Sequence, residues 1–208
     1  MNLENYYYYF ESAIPPKICD EIIKYGLDQQ EQLALTGKFK PDEDLDEEQL
    51  KDLARKRKSH LVWMDDSWIY KEIQPYIHQA NENAGWNFDW DYSESCQFTK
   101  YKEGDFYGWH CDSWEKPYDV PENLNKHGKI RKLSATVCLS DETEYEGGDF
   151  EFDFRNRDDT SNQPQVCKEI RPKGSIVVFP SFVWHRVQPV ISGTRHSLVI
   201  WNLGRPFR

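Results

Sequence analysis

The sequence lacks a long hydrophobic run, a cysteine pair spaced for a metal knuckle, and any excess of positive charge. A membrane-spanning helix needs about 18 or more consecutive apolar residues. None is present, and the start, MNLENYYYYF, has charge and tyrosines where a secretory signal would have an apolar segment. These absences predict a cytoplasmic protein with no membrane partner. The five cysteines (Cys19, Cys96, Cys111, Cys138, Cys167) are odd in number and form no CxxC pair, so free thiols are expected rather than a disulfide framework or zinc knuckle. Lys and Arg total 26 against 36 Asp and Glu, a net charge of −10. That field repels phosphate backbones, which disfavours nucleic acid as a partner. Hydrophobic residues make up only 38% of the chain, but aromatics reach 15%, and each aromatic buries a large area. The core should be aromatic-rich.

At 208 residues the chain suits one domain with a sizeable core better than two marginal ones. The first third reads as a short strand followed by helices: YYYYFES is β-prone, Pro15 and Pro16 open a helix, and KICDEIIKYGL carries Ile18, Ile22 and Ile23 before Gly26. The block PDEDLDEEQLKDLARKRK turns from six acids to five bases (Lys51, Arg55, Lys56, Arg57, Lys58) and reads as a solvated loop or helix. A second helix is predicted over Asp66 to Asn83, with Trp68, Ile69, Ile73, Tyr76 and Ile77 on one stripe and a possible kink at Pro75. From about Trp86 the period changes to two. The short runs WDYSESCQFTKY, DFYGWHCD, KLSATVCLS, DFEFDF, QVCKEI, SIVVFP, WHRVQPV and RHSLVIWNL alternate with turn formers. About eight strands without crossover helices predict an α+β, mainly β protein with a jelly-roll core over 86–208, onto which residues 1–85 pack. Two long polar interruptions, Ser113 to Ile130 and RNRDDTSNQPQ, have the length of functional loops, and the first is the expected lid.

On a strand, residues i and i+2 share a face, so His110 and Asp112 in FYGWHCDSW point together while Trp109 and Cys111 point away. A lone HxD is a weak signal and needs a third ligand. His185 in FPSFVWHRVQPV is the best placed, on a late strand expected to face the early one across the barrel. Two histidines and one carboxylate form the facial set that suits non-heme Fe(II) with open positions for a co-substrate and O2. Arg195 lies 195 − 185 = 10 residues further on, across the expected turn VISGT, on a strand expected to run antiparallel to the histidine's. Its parity matches Ser197, Val199 and Trp201, and an inward guanidinium needs an anion. A dicarboxylate that chelates iron at one end would supply it. His196 has the opposite parity and should point outward; His60, His78 and His127 have no comparable partners. Gly147 and Gly148 read as a turn into DFEFDF.

The segments YKEGDFYGWHCD, RKLSATVCLSDETEYEGGDFEF and GSIVVFPSFVWHRVQPVISGTRHSLVIWNLGRPFR resemble the Fe(II)- and 2-oxoglutarate-dependent dioxygenases, in particular the prolyl 4-hydroxylase-like branch and its PKHD-type relatives. The resemblance covers about Phe98 to Arg208, and FESAIPPKICDEIIKYG carries it more weakly. It implies a double-stranded β-helix with His110, Asp112 and His185 as catalytic iron ligands and Arg195 as partner of the distal 2-oxoglutarate carboxylate. It further implies that Tyr101 hydrogen-bonds 2-oxoglutarate, that Thr136 lines the same pocket, and that Trp201 lies near the iron or co-substrate. Read from the residues alone, Tyr101 and Trp201 suit the barrel core better than a binding role.

The implied cofactor set is Fe(II), 2-oxoglutarate and O2, with ascorbate as reductant. The implied reaction is oxidative decarboxylation of 2-oxoglutarate coupled to hydroxylation of a substrate C–H bond. A peptidyl proline in a protein or peptide substrate is the first expectation, and a small molecule or non-proline residue is the alternative. Arginine at 195 is usual in the PKHD-type group, whereas collagen-type prolyl hydroxylases usually carry lysine. A non-enzymatic, cupin-like metal-binding protein is the rival from another class. Tyr107, Trp114 and Arg131 are the candidate substrate contacts, and an aromatic groove would suit an extended proline-rich peptide.

Overall fold

The computed structural model describes residues 5–29, 32–33, 46–113, 116–154 and 163–207. Strand β1 (Tyr8–Phe10) leads into helix α1 (Pro16–Leu27), whose proline start places a residue without N–H where that donor would be unpaired anyway. A short strand β2 (Gln32–Leu33) follows. Most of the described part of the charged block forms helix α2 (Glu47–Lys56); Asp42, Glu43 and Asp44 lie outside the described residues. A capping box starts it: the Asp46 carboxylate accepts the Gln49 N–H at 2.8 Å, and the Gln49 side-chain oxygen accepts the Asp46 N–H at 2.8 Å. Arg55 and Lys56 occupy the last turn, where the helix dipole favours cations.

Directly after α2, where the sequence predicts a helical region, come two strands instead, β3 (Arg57–Lys58) and β4 (His60–Met64). In so short a run the hydrophobic period cannot separate strand from helix, and pairing with later strands decides the outcome. Helix α3 (Ser67–Asn83) runs as expected, burying Ile69, Ile73, Ile77 and Ala80, and Pro75 lies within it. No helix among the described residues is long and apolar enough to cross a membrane.

The remaining strands are β5 (Tyr92–Ser93), β6 (Cys96–Tyr101), β7 (Phe106–His110), β8 (Ile130–Cys138), β9 (Tyr145–Gly147), β10 (Phe150–Asp153), β11 (Gln165–Val166), β12 (Ile176–Pro180), β13 (Trp184–Val187), β14 (Val190–Gly193) and β15 (Arg195–Gly204). Among the described residues, one antiparallel sheet has the order β1-β12-β8-β15-β6-β4-β2, with β5 also on β15, and a second has the order β11-β10-β13-β7-β3. Residues before 85 therefore supply strands to both sheets. In QVCKEI only Gln165–Val166 is strand, and Lys168–Ile170 is a 3-10 turn.

Alternation along β15 divides the core in two. Leu198 and Ile200 join Ile22, Ile69, Phe98 and Val137 beneath the helices. Between the sheets lies a second cluster containing Tyr101, Phe150, Phe152, Val177 and Phe179. Arg195, Ser197, Val199 and Trp201 face that inner space. His196 faces away from it, as its parity predicts, but it is not solvated: its ring stacks on Phe98 at 5.6 Å and its backbone N–H donates to Ser140 Oγ at 2.8 Å.

Candidate active site

Strand pairing brings the two histidines together. β13 runs beside β7 in the smaller sheet, with His185 the register partner of His110, so the two are neighbours rather than facing one another across the barrel as expected. Their ring centroids are 4.2 Å apart. Asp112, just past the end of β7, is held by its own N–H, which donates to Ser181 O at 2.8 Å. His110 Nε2 lies 3.7 Å from Asp112 Oδ1 and His185 Nε2 lies 3.6 Å from Asp112 Oδ2. One ligand atom from each residue falls within 4.8 Å of the others, the candidate metal cluster among the described residues.

The surrounding contacts set the protonation of these atoms. His110 Nδ1 bonds Gly108 O at 2.8 Å and His185 Nδ1 bonds Val183 O at 3.0 Å. A carbonyl only accepts, so each Nδ1 carries its hydrogen and each Nε2 is the nitrogen left to face a metal. Burial pushes His110 down to about 3, and His185 beside it acts in the same direction. Burial alone would push the Asp112 carboxyl up. His185, His110 and Arg131, with the Ser134 hydroxyl, outweigh it and hold the group below its ordinary value. Two imidazoles and one carboxylate, each already oriented, fit a divalent metal with room for further ligands.

Facing them across one cavity stand Arg195, Tyr101, Thr136 and Trp201 from the larger sheet, with Tyr107 from the smaller. Arg195 is 2% exposed, and its Nη1 has no hydrogen-bond partner. The Trp201 indole Nε1 is likewise buried and unpartnered. Such orphan donors are rare in folded proteins and mark space for a polar ligand. Arg195 is not on the strand paired with that of His185. β15 pairs with β6, β8 and β5, and VISGT, read as a turn, largely forms β14, which pairs with β9. The arginine and the histidine meet because the two sheets face each other. Gly148, at φ 62, makes room for it: a Cβ there would stand 3.0 Å from Arg195 Cδ.

The substrate candidates are distributed differently. The Tyr107 ring lies 3.5 Å from that of His110 in a stacked arrangement. Arg131 does not line the cavity; its Nε donates to Glu94 Oε2 at 2.6 Å, and its guanidinium lies 3.9 Å over the Trp201 ring. Trp114 lies outside the described residues, as does most of RNRDDTSNQPQ. In the expected lid, residues 116–129 form a hydrogen-bonded excursion closed by Gly128 N–H to Tyr118 O at 2.9 Å and anchored by Lys126 Nζ to Glu94 Oε1 at 2.8 Å.

Sequence reasoning missed Ser134, Ser181, Glu94 and Arg57. Ser134 donates to Asp112 Oδ2 at 2.7 Å and contacts Ser181 Oγ at 2.9 Å. Its parity with Thr136 could have revealed it. Arg57, inside a run of bases, carried no signal at all.

A model of the 2OG-Fe(II) oxygenase superfamily matches residues 96–202, just over half of the chain. The chain belongs to that superfamily. This oxygenase-family chain is 40% identical over 108 residues to a PKHD-type hydroxylase of Synechococcus sp. (strain CC9902), covering 51% of itself and 40% of that relative. A PKHD-type hydroxylase of Shewanella oneidensis is 34% identical over 105 residues, covering 50% and 40%. The match thus spans about two fifths of the length of these relatives. In fold, the family member is similar to a viral collagen prolyl hydroxylase from Paramecium Bursaria Chlorella virus-1, with a TM-score of 0.63, 20% identity and 97% of each chain covered. A prolyl hydroxylase from Trichoplax adhaerens, solved in complex with a hypoxia inducible factor oxygen degradation domain peptide fragment, gives a TM-score of 0.67 at 14% identity, covering 96% and 84%. The two facing sheets are the double-stranded β-helix of this family.

Proposed function

We propose that the protein is a 2-oxoglutarate-dependent hydroxylase in which His110, Asp112 and His185 hold Fe(II) and Arg195 binds the distal carboxylate of 2-oxoglutarate. The observation that carries the reading is the oriented three-ligand cluster facing a buried arginine with an unpaired Nη1 in one cavity. With iron bound, 2-oxoglutarate is oxidatively decarboxylated to succinate and CO2, and one atom of O2 enters a substrate C–H bond as hydroxyl. The chain's own part is to bind, orient and exclude water. The carbonyls of Gly108 and Val183 fix the imidazole tautomers. Ser134 steadies the carboxylate of Asp112, and Phe150, Phe179 and Val187 make the inner wall apolar. Tyr101, Thr136 and Trp201, which line the same cavity as Arg195, bound the co-substrate in this reading. Ascorbate is the reductant that would keep the iron ferrous.

The substrate we propose is a protein or peptide, with a prolyl C–H bond as the first target. The fold neighbours are prolyl hydroxylases, one of them with a peptide bound. Oxidation of a small molecule or a non-proline residue is the second reading, favoured by Arg195 and by the PKHD-type sequence relatives. Purified protein with Fe(II), ascorbate and labelled 2-oxoglutarate should release CO2, and His110→Ala, Asp112→Ala or His185→Ala should abolish release. Turnover that survives loss of His185 overturns the ligand assignment. A gain of one oxygen by proline-rich peptides separates the first substrate reading from the second.

A further inference from the structure

One buried cation has no role in the site just described. Arg57, the first residue of β3, is 4% exposed. Its Nε donates to Ser59 Oγ at 2.9 Å, while its Nη2 is buried with no hydrogen-bond partner. Apart from Arg195, which faces the cavity, three other arginines around the barrel are neutralised: Arg131 by Glu94, Arg186 by Glu151, and Arg171 by Asp149. Among the described residues no carboxylate pairs with Arg57. A guanidinium withdrawn from water without an anion is costly, and such a group persists where a ligand completes it.

Strand register shows where it points. Arg57 is the cross-strand partner of Tyr107 and therefore shares its face. Tyr107 lines the cavity and stacks on His110, and the Arg57 guanidinium lies 4.4 Å over the Tyr107 ring. The junction of α2 and β3 is pressed onto β7 at Gly108, where a Cβ would stand 3.1 Å from Lys56 O. Across the mouth, Trp63 of β4 is paired with Gln97, which lines the cavity, so Trp63 occupies the same face of the larger sheet. It is 45% exposed, and its ring lies 6.0 Å from that of Trp201. The smaller sheet thus carries, against the cavity-lining Tyr107, a guanidinium without a carboxylate partner, and the larger sheet an apolar ring surface. Arg57 and Trp63 both precede residue 96, where the superfamily match begins, whereas Tyr107 and Trp201 beside them lie within it.

We infer that Arg57 anchors the substrate, and that the substrate carries a carboxylate which pairs with the Arg57 fork while its apolar part rests against Trp63 and Trp201. This rests on the oxygenase reading and specifies its substrate as an acid: an acidic residue beside the oxidised one in a peptide, or a small carboxylic acid.

The test uses full-length protein loaded with Zn(II) and 2-oxoglutarate, so that the triad and Arg195 are already occupied and no turnover occurs. Calorimetry compares N-acetyl-Pro-Glu-amide with its Gln counterpart, and N-acetylproline with N-acetylprolinamide. The acid of at least one pair should bind tenfold or more tighter than its amide, and which pair responds distinguishes peptide from small acid. In 15N-arginine-labelled protein, the Nε–H signal that Arg57→Met removes should shift with the acid and not with the amide. Arg57→Met should bring acid and amide within twofold of each other, and Arg57→Lys should retain part of the preference, as a charge without the fork would. That both variants still bind 2-oxoglutarate shows the barrel to be folded. Equal binding of acid and amide, no binding of either, or a preference that survives Arg57→Met overturns the inference. Failure of wild-type protein to bind 2-oxoglutarate would instead sink the oxygenase reading itself.

Discussion

Replacing Ser134 by alanine should weaken metal binding far more than its lack of any metal contact suggests. The Ser134 hydroxyl donates to Asp112 Oδ2 at 2.7 Å and is itself joined to Ser181 Oγ at 2.9 Å. Asp112 is 7% exposed, so water cannot readily replace the lost donor. A hydrogen bond to a charged group contributes about 1.5–3 kcal/mol, and about 1.4 kcal/mol is tenfold in affinity. The expected loss is therefore roughly 10- to 100-fold, the range typical of groups that orient metal ligands. The effect has a pH signature. Burial pushes the Asp112 carboxyl up and its neighbours, Ser134 among them, hold it down. Without Ser134 the carboxyl rises toward its buried tendency, and protons compete better with the metal. The gap between variant and wild type should widen as pH falls. Mn(II) titration followed by the spectrum of the free ion, at pH 8 and pH 6, measures this directly. Affinities within twofold of wild type at both pH values would refute the reasoning. Ser181→Ala, which removes a hydroxyl that reaches Asp112 only through Ser134 and keeps the backbone carbonyl that accepts the Asp112 N–H, should cost less.

Glu94→Gln should destabilise the protein by about 3–5 kcal/mol in urea unfolding, since it strands a buried Arg131 and unties Lys126 of the loop. Burial pushes the Glu94 carboxyl up, but Arg131 and Lys126 hold it below its ordinary 4.5. The stabilisation is therefore fully present above that value and lost as pH falls through the lowered one, and Glu94→Gln should flatten the acid limb of the stability profile. Arg195→Met should raise the 2-oxoglutarate dissociation constant by roughly 30-fold or more, from the 2–5 kcal/mol typical of truncating one partner of a buried charge pair; calorimetry reads it. Gly148→Ala puts a Cβ at φ 62 and 3.0 Å from Arg195 Cδ, and should lower stability by about 1–2 kcal/mol and weaken 2-oxoglutarate binding with it. Thermal unfolding with and without 2-oxoglutarate tests both effects.

Much of the site was legible because strand parity is local. His110 with Asp112, and Arg195 with Ser197, Val199 and Trp201, could be put on common faces from spacing alone. How those faces meet was not legible. The pairing of β13 with β7, which makes His185 the neighbour of His110, is a contact between residues 75 positions apart (185 − 110). The strand HLVWM was read as part of a helical region because five residues do not carry a period. Arg57 was hidden for a related reason: among five bases only one is drawn under the barrel, and composition cannot tell which.

The sequence by itself determined the alternation that sorts ligands from supports and the chemistry available at His110, Asp112, His185 and Arg195. These depend on side-chain type and on the two-residue repeat of a strand, both of which are written in the chain. Only the tertiary structure decided that Ser134 braces Asp112, that Arg131 is neutralised by Glu94, and that Arg57 stands unpaired beside Tyr107. Burial and charge pairing arise from long-range strand register, which no short window of sequence contains.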